Sequence, residues 1–377
     1  MSDLLERRER AIETSGWGAR FHFIQPHNAC FWVYLALLGS GLWFVFTAVQ
    51  ATASTYAQAY TASLLAGAAF TAVFLGFLHH ADRWERTPGN LALAAFLIGG
   101  FGATFAIAIT GNAAMMSLYA KLLGQPFAQD WQAGLTAPFV EESSKAICFL
   151  LLMGLAPVVI RTVSDGLMVG AYVGLGFQVL EDLLYGQNAA AAQFGANQTE
   201  AVLGTFVLRS LTGISSHALY TALFGAGLIY AIGTVAQPRR LGRGLALMLA
   251  AVLIHGVWDS AAAIGGQFFV IFVLLGTIVF SLVALYVAIR WAGKGERAFM
   301  RDILAPEVAA GTLTEPELDA LTGHRKQRRR ALKAGGRRRE RHVLKAARDL
   351  AQDLSAGRGE DTPAVMHSRA EIARLRG

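Results

Sequence analysis

Twenty-one residues from Phe268 to Ala288 pass without a charge, and seven other apolar runs of similar length precede them. About 20 apolar residues cross the hydrocarbon core of a bilayer as a helix. The runs lie near 30–49, 59–79, 91–114, 134–156, 165–187, 207–233, 244–264 and 268–291. A chain built this way is expected to be all-α, a polytopic membrane helix bundle of about eight transmembrane helices. Composition agrees: 16% of residues are charged and 54% apolar, where soluble domains carry about 25% charged residues. Disordered, collagen-like and disulfide-stapled chains are excluded on the same ground. Cys30 and Cys148 both lie in apolar runs and read as small hydrophobes.

The loops orient the bundle. Arg7, Arg8, Arg10 and Arg20 precede the first run, Arg83 and Arg86 follow the second, Arg161 the fourth, and Arg239, Arg240 and Arg243 the sixth. The alternate loops hold only Lys121. The positive-inside rule puts both termini in the cytoplasm of a multi-pass plasma-membrane protein, with an uncleaved anchor at the start. Three regions follow: a cytoplasmic segment 1–29, a transmembrane domain 30–292 and a basic cytoplasmic tail 293–377. From Arg290 onward there are 20 Lys/Arg against 12 Asp/Glu, whereas the rest of the chain holds 13 against 14. The tail, interrupted at Gly335-Gly336, reads as a solvated helical segment or one lying on anionic headgroups. Aromatic residues hardly interleave its basics, so no nucleic-acid partner is expected.

Ionisable residues inside the runs carry the functional signal, because each costs about 2.5–3.5 kcal/mol at bilayer depth. They are Glu141, Glu142, Lys145, Glu181, Asp182, Arg209, His217, His255 and Asp259. Counted from the outer span ends at about 1.5 Å per residue, Glu141, His217 and His255 lie roughly 12–14 Å deep, with Glu181 and Asp259 roughly 8–9 Å deep. Four helices of alternating direction thus bring them to one level, toward the outside. Glu141 and Lys145, like His255 and Asp259, are four apart and share a helix face. Phe177 sets an aromatic ring one turn before Glu181. Arg209 and Asp182 read as interface or ion-pair residues. Gly166, Gly170 and Gly174 line one face of the fifth run, a spacing that lets helices approach closely in lipid.

Such a set suits hydrolysis. A glutamate can take the proton of a water, a histidine can donate to an oxyanion, and Asp259 can orient His255. Alternatively, two histidines with one or two carboxylates suit Zn²⁺. Ser143, Ser144 and Ser260 read as packing elements, and no H-E-x-x-H motif is present.

The ordered motifs resemble one family. Glu141-Glu142-Ser143-Ser144-Lys145 is similar to the E-E-x-x-K motif of the PrsW intramembrane proteases, relatives of the CAAX prenyl and bacteriocin-processing membrane proteases. Phe177 to Glu181 resembles the second motif, F-x-x-x-E, with Asp182 where Asn is usual. Ser216-His217 through Gly225 resembles the third, and His255-Gly256-Val257-Trp258-Asp259 the fourth, H-x-x-W-[ND]. Upstream, the segment from Asp82 to Pro88 resembles a pre-span element, but Thr87 replaces its acid, so no function is carried to it.

The resemblance implies a protease of membrane-anchored proteins. In the best-known member the substrate is an anti-sigma factor, cut first on the outer side. It further implies Glu141 as activator of the water, supported by Glu142, with Glu181, His217 and His255 holding a divalent metal, zinc foremost, or the oxyanion. A metal-free glutamate mechanism is the other reading. The competing class is an ion- or proton-coupled transporter, whose buried relay would have to reach both faces.

Overall fold

The computed structural model describes residues 2–212, 216–323, 325–334 and 337–377, whose regular structure is all helical, with no strand among them. Gly335-Gly336 lies outside the described residues.

The helices follow from local chemistry. Asn28 caps α2 (Ala29–Thr52) by accepting from the Cys30 amide at 3.0 Å. α3 (Ala57–Ala81) returns across the bundle. The third pass joins α4 (Gly89–Leu97), a wider-wound π-helix at Ile98–Ala108, and α5 (Ile109–Leu123). Gly124, at φ 85°, turns the chain at once into α6 (Gln125–Leu155). Only glycine takes this conformation without strain. Thr162 and Asp165 form a reciprocal capping box at the start of α7 (Val163–Ala192), satisfying two amides that the helix cannot.

α7 is the central helix, packed on α3, the π-helix and two later helices, α8 (Gln198–Thr212) and α9 (His217–Ile232). The glycine stripe lies against α9. A Cβ at Gly174 would stand 2.2 Å from the carbonyl oxygen of His217, so glycine is required for the two helices to meet there. α10 (Leu241–Asp259) crosses α6 just as closely, where a Cβ at Gly134 would meet the Gly256 carbonyl oxygen at 2.8 Å. α11 (Ala261–Ala309) completes the bundle, broken only at Gly266.

Six of these passes are long and apolar enough to cross a membrane: α2, α3, the 89–123 run, α7, α10 and α11. α6 has the length, at 31 residues, but carries Glu141, Glu142 and Lys145. The expected sixth span, 207–233, is not one helix. α8 ends at Thr212 and α9 begins at His217, after an extended Ser216 at φ −138°, ψ −174°. Residues 213–215 of that span lie outside the described residues.

α11 runs past residue 293 without a break. Its far end, with α1 (Ser2–Ser15), α12 (Glu315–Thr322), α14 (Arg337–Ala356) and α15 (Pro363–Arg376), encloses a second apolar core around Ile12, Trp17, Ile303, Leu350 and Leu354. α13 (Arg325–Ala334) lies between α12 and α14. Within this core Glu307 accepts from Arg8 at 2.8 Å and from two nitrogens of Arg369 at 2.8 and 2.9 Å. The seam between the cores is polar: Trp17 donates to Glu296 at 3.0 Å, the Gly18 amide to Glu85, and Gln352 to the Trp84 carbonyl at 3.1 Å.

Candidate active site

The membrane-buried charges converge on one cavity of about 440 Å³. α6 lines it with Glu141, α7 with Glu181, α8 with Arg209, α9 with His217, and α10 with His255 and Asp259, while Glu142 and Lys145 of α6 are bonded to these residues from behind the wall.

Glu141 is at the centre. Its Oε1 accepts from Asn112 Nδ2 at 2.9 Å, which anchors the carboxylate to α5. Its Oε2 is buried and has no hydrogen-bond partner among the described residues. That oxygen stands 3.7 Å from His217 Nδ1, 3.7 Å from His255 Nε2 and 3.7 Å from Lys145 Nζ. A buried acceptor left unmatched costs about 1–3 kcal/mol, more when charged, so this oxygen is held ready for a visitor.

Glu142 faces the other way. Its Oε1 accepts from Lys145 Nζ at 2.7 Å and meets His255 Nδ1 at 3.2 Å. Lys145 is wholly buried, lies 4.1 Å above the Phe177 ring and reaches His217 Nδ1 at 2.8 Å. His255 meets Asp259 through Nε2 at 3.3 Å, and Tyr220 stacks on its ring with centroids 5.1 Å apart. Glu181 lies on the far side of His217, its Oε2 2.9 Å from Nε2 and 2.6 Å from Arg209 Nη2. Asp182 accepts from Arg209 Nε and, at 2.8 Å, from Gln178.

Every candidate residue named from the sequence thus belongs to one connected network. Its members differ in reach. Glu141, His217 and His255 present ligand atoms within 4.8 Å of one another, the one group of three possible metal ligands among the described residues. Glu181 reaches this group through His217. Asn112, Gln178 and Tyr220 also belong to the network or line the cavity, and sequence reasoning passed over them, while Tyr185 and Trp258, which line it too, carried no role there beyond their place in the motifs. Amides and tyrosines are ordinary in membrane helices. The helical phase of Asn112 within an apolar run was the one signal that could have exposed it. Ser144 is ruled out as a nucleophile, because its hydroxyl is given to the Glu141 carbonyl at 2.8 Å.

The donor set fits a divalent metal. One carboxylate oxygen without a partner and two imidazole nitrogens match the three-ligand pattern of catalytic zinc sites, which keep a position open for water. Lys145 competes with such an ion for the lone pair of His217 Nδ1.

A family model described as PrsW family intramembrane metalloprotease matches residues 87–289, more than half of the chain. All four motifs that converge on the cavity fall inside that range. No curated protein and no solved structure matches. With its apolar helices and its buried Glu/His/His group, the chain belongs to the PrsW family of intramembrane metalloproteases, membrane hydrolases that act on membrane-embedded proteins.

Proposed function

We propose that this protein is an endopeptidase that cuts single-span, membrane-anchored proteins near the outer face of the plasma membrane, an anti-sigma factor being the first substrate to test. The unmatched Oε2 of Glu141, between two imidazoles in an open cavity, is the observation that carries this reading. Glu141 takes the proton as water attacks the scissile carbonyl, and returns it to the amide nitrogen as the C–N bond breaks. The products are a carboxylate and an amine. Asn112 holds the other Glu141 oxygen, so the reacting one keeps its aim. His255, faced by Glu142 and Asp259, offers an N–H to the carbonyl oxygen as charge develops there. Lys145 offsets the charge of Glu142.

Where a metal is bound, zinc is the first candidate, and Glu141, His217 and His255 would hold it, with Glu181 behind His217; Glu141 would then be a ligand rather than the base. It would polarise the carbonyl and acidify the water. In this reading both termini are cytoplasmic. Residues 1–29 and the tail after 293 then form one cytoplasmic unit on the basic side of the bundle. The exposed Arg328, Arg329, Arg330, Arg338 and Arg339 suit anionic headgroups.

The test is cleavage of single-span substrates by purified protein in detergent, with and without chelator, beside Glu141→Gln. Loss with both supports the metal-bound form. Survival with chelator and loss in the mutant supports a glutamate-activated water. Undiminished turnover in Glu141→Gln removes Glu141 from the role of base.

A further inference from the structure

The sequence gives Arg209 no task beyond an ion pair, but its surroundings are those of a working part. Arg209 lines the cavity from α8, the wall helix that packs on α3 and α7 and whose Leu203, Val207 and Leu211 are exposed on its outer side. Among the contacts that hold its guanidinium, Nη2 lies 2.6 Å from Glu181 Oε2, Nε donates to Asp182, and the plane lies 4.1 Å from the Tyr185 ring.

The oxygen that Arg209 grips is the one facing His217 Nε2 at 2.9 Å. At the other ring nitrogen, Lys145 Nζ stands 2.8 Å from Nδ1. An ammonium has only protons to give, so Nδ1 accepts in this contact, but Lys145 also has Glu142 at 2.7 Å and Glu141 at 3.7 Å to turn to, so the contact does not lock the tautomer by itself. Nδ1 also accepts if a metal ion takes the place of the ammonium, because a metal needs its lone pair too. In either contact a neutral His217 carries its proton on Nε2, and that proton needs an acceptor. Glu181 is the acceptor, and Arg209 is what holds its carboxylate aimed at the ring.

We propose that Arg209 is a positioning residue of the hydrolytic site: by clamping Glu181 it keeps the His217 proton on Nε2 and the lone pair of Nδ1 open to Lys145 or to a metal ion in its place. The chain of contacts Arg209–Glu181–His217 does for one histidine what Asp259 and Glu142 do for the other. It also ties α8 to the state of a residue on the helix that follows it.

The inference rests on the protease reading only where cleavage is the readout, so the decisive measurement is spectroscopic. Full-length protein labelled with ¹⁵N-histidine in lipid nanodiscs gives the tautomer of each ring by nitrogen NMR, and His217 is assigned by the signal lost in His217→Gln. The wild type should show the Nε2–H form alone. Arg209→Gln should show a mixture of tautomers, and Arg209→Lys, which keeps the charge and folds more readily, should lie between the two. With a cleavable test substrate, kcat should fall about 10- to 100-fold in Arg209→Gln at little changed KM, with partial recovery in Arg209→Lys. An unaltered His217 tautomer in both variants overturns the proposal. So does a loss confined to KM, which would make Arg209 a substrate-binding group. If no variant, wild type included, cleaves any substrate, the protease reading is what fails, and the tautomer comparison still decides this one.

Discussion

Two of the places where the molecule buries charge treat it oppositely. In the second core, Glu307 has both oxygens bonded, with Arg8 and Arg369 converging on it from the first and last helices. In the membrane bundle, one oxygen each of Glu141, Glu142 and Asp182, together with Asn112 Oδ1, lacks a partner. Matched charge holds elements together. Unmatched charge costs stability and is kept where something else is to be bound or changed. The first cluster is a staple between α1, α11 and α15, and the second is the proposed reaction site.

The sharpest way to break this contrast is to neutralise one carboxylate in each. Glu141→Gln should lower cleavage by about 10²–10⁴-fold, while its thermal midpoint stays level or rises, since an unmatched buried charge is gone. Glu307→Gln should do the reverse. It strands the Arg8 guanidinium and should cost about 3–5 kcal/mol in denaturant titrations, with cleavage per folded molecule preserved. Equal losses of stability in the two variants would erase the distinction.

A smaller effect tests how packing serves the site. Gly174→Ala puts a methyl against the His217 carbonyl oxygen, 2.2 Å away. It should cost about 1–3 kcal/mol as overpacking and lower kcat, because the helix it displaces begins with His217. Gly276→Ala, where nothing lies within 4 Å, is the control and should leave both unchanged.

The smallest effect lies at the seam. Burial, and then the neighbouring Asp165, Glu296 and Asp82, push the Glu85 carboxyl well above its ordinary value of 4.5, despite the Gly18 amide bonded to it. A carboxyl raised on folding favours the folded state at low pH and loses that advantage as pH climbs above 4.5 toward the folded value. Glu85→Gln should therefore match the wild type near pH 4 and melt higher at pH 8. A gap that is the same at both values would mean that Glu85 acts only through the Gly18 hydrogen bond.

Much of the reaction site was legible because charge is conspicuous in an apolar run. Glu141, His217, His255 and Asp259 stand out for that reason, and equal depth on alternating helices pointed to their meeting. Arg209 stood out too, but its partners depend on how α8 is rotated, which spacing alone does not give. Asn112 was hidden because a neutral amide barely changes hydropathy. The break before His217 was hidden for a related reason: residues 207–233 stay apolar across it, although serine at position 216 is a common helix start. The second core was least legible. Its helices are rich in arginine, and their apolar faces show a purpose only once α1 is folded against them.

α11 has a mechanical consequence. From Gly266 to Ala309 it is an unbroken rod of roughly 65 Å at about 1.5 Å per residue, anchored at its far end by Glu307. At its near end Gly266 sits at φ 55° with nothing within 4 Å of where its Cβ would be, seven residues after Asp259. A regular helix resists flexing along its length far more than such a glycine resists rotation. A tilt imposed at the second core is therefore carried to the other end and taken up at that swivel, seven residues along the chain from Asp259, which lines the cavity. The rod is a lever with its pivot placed beside the chemistry.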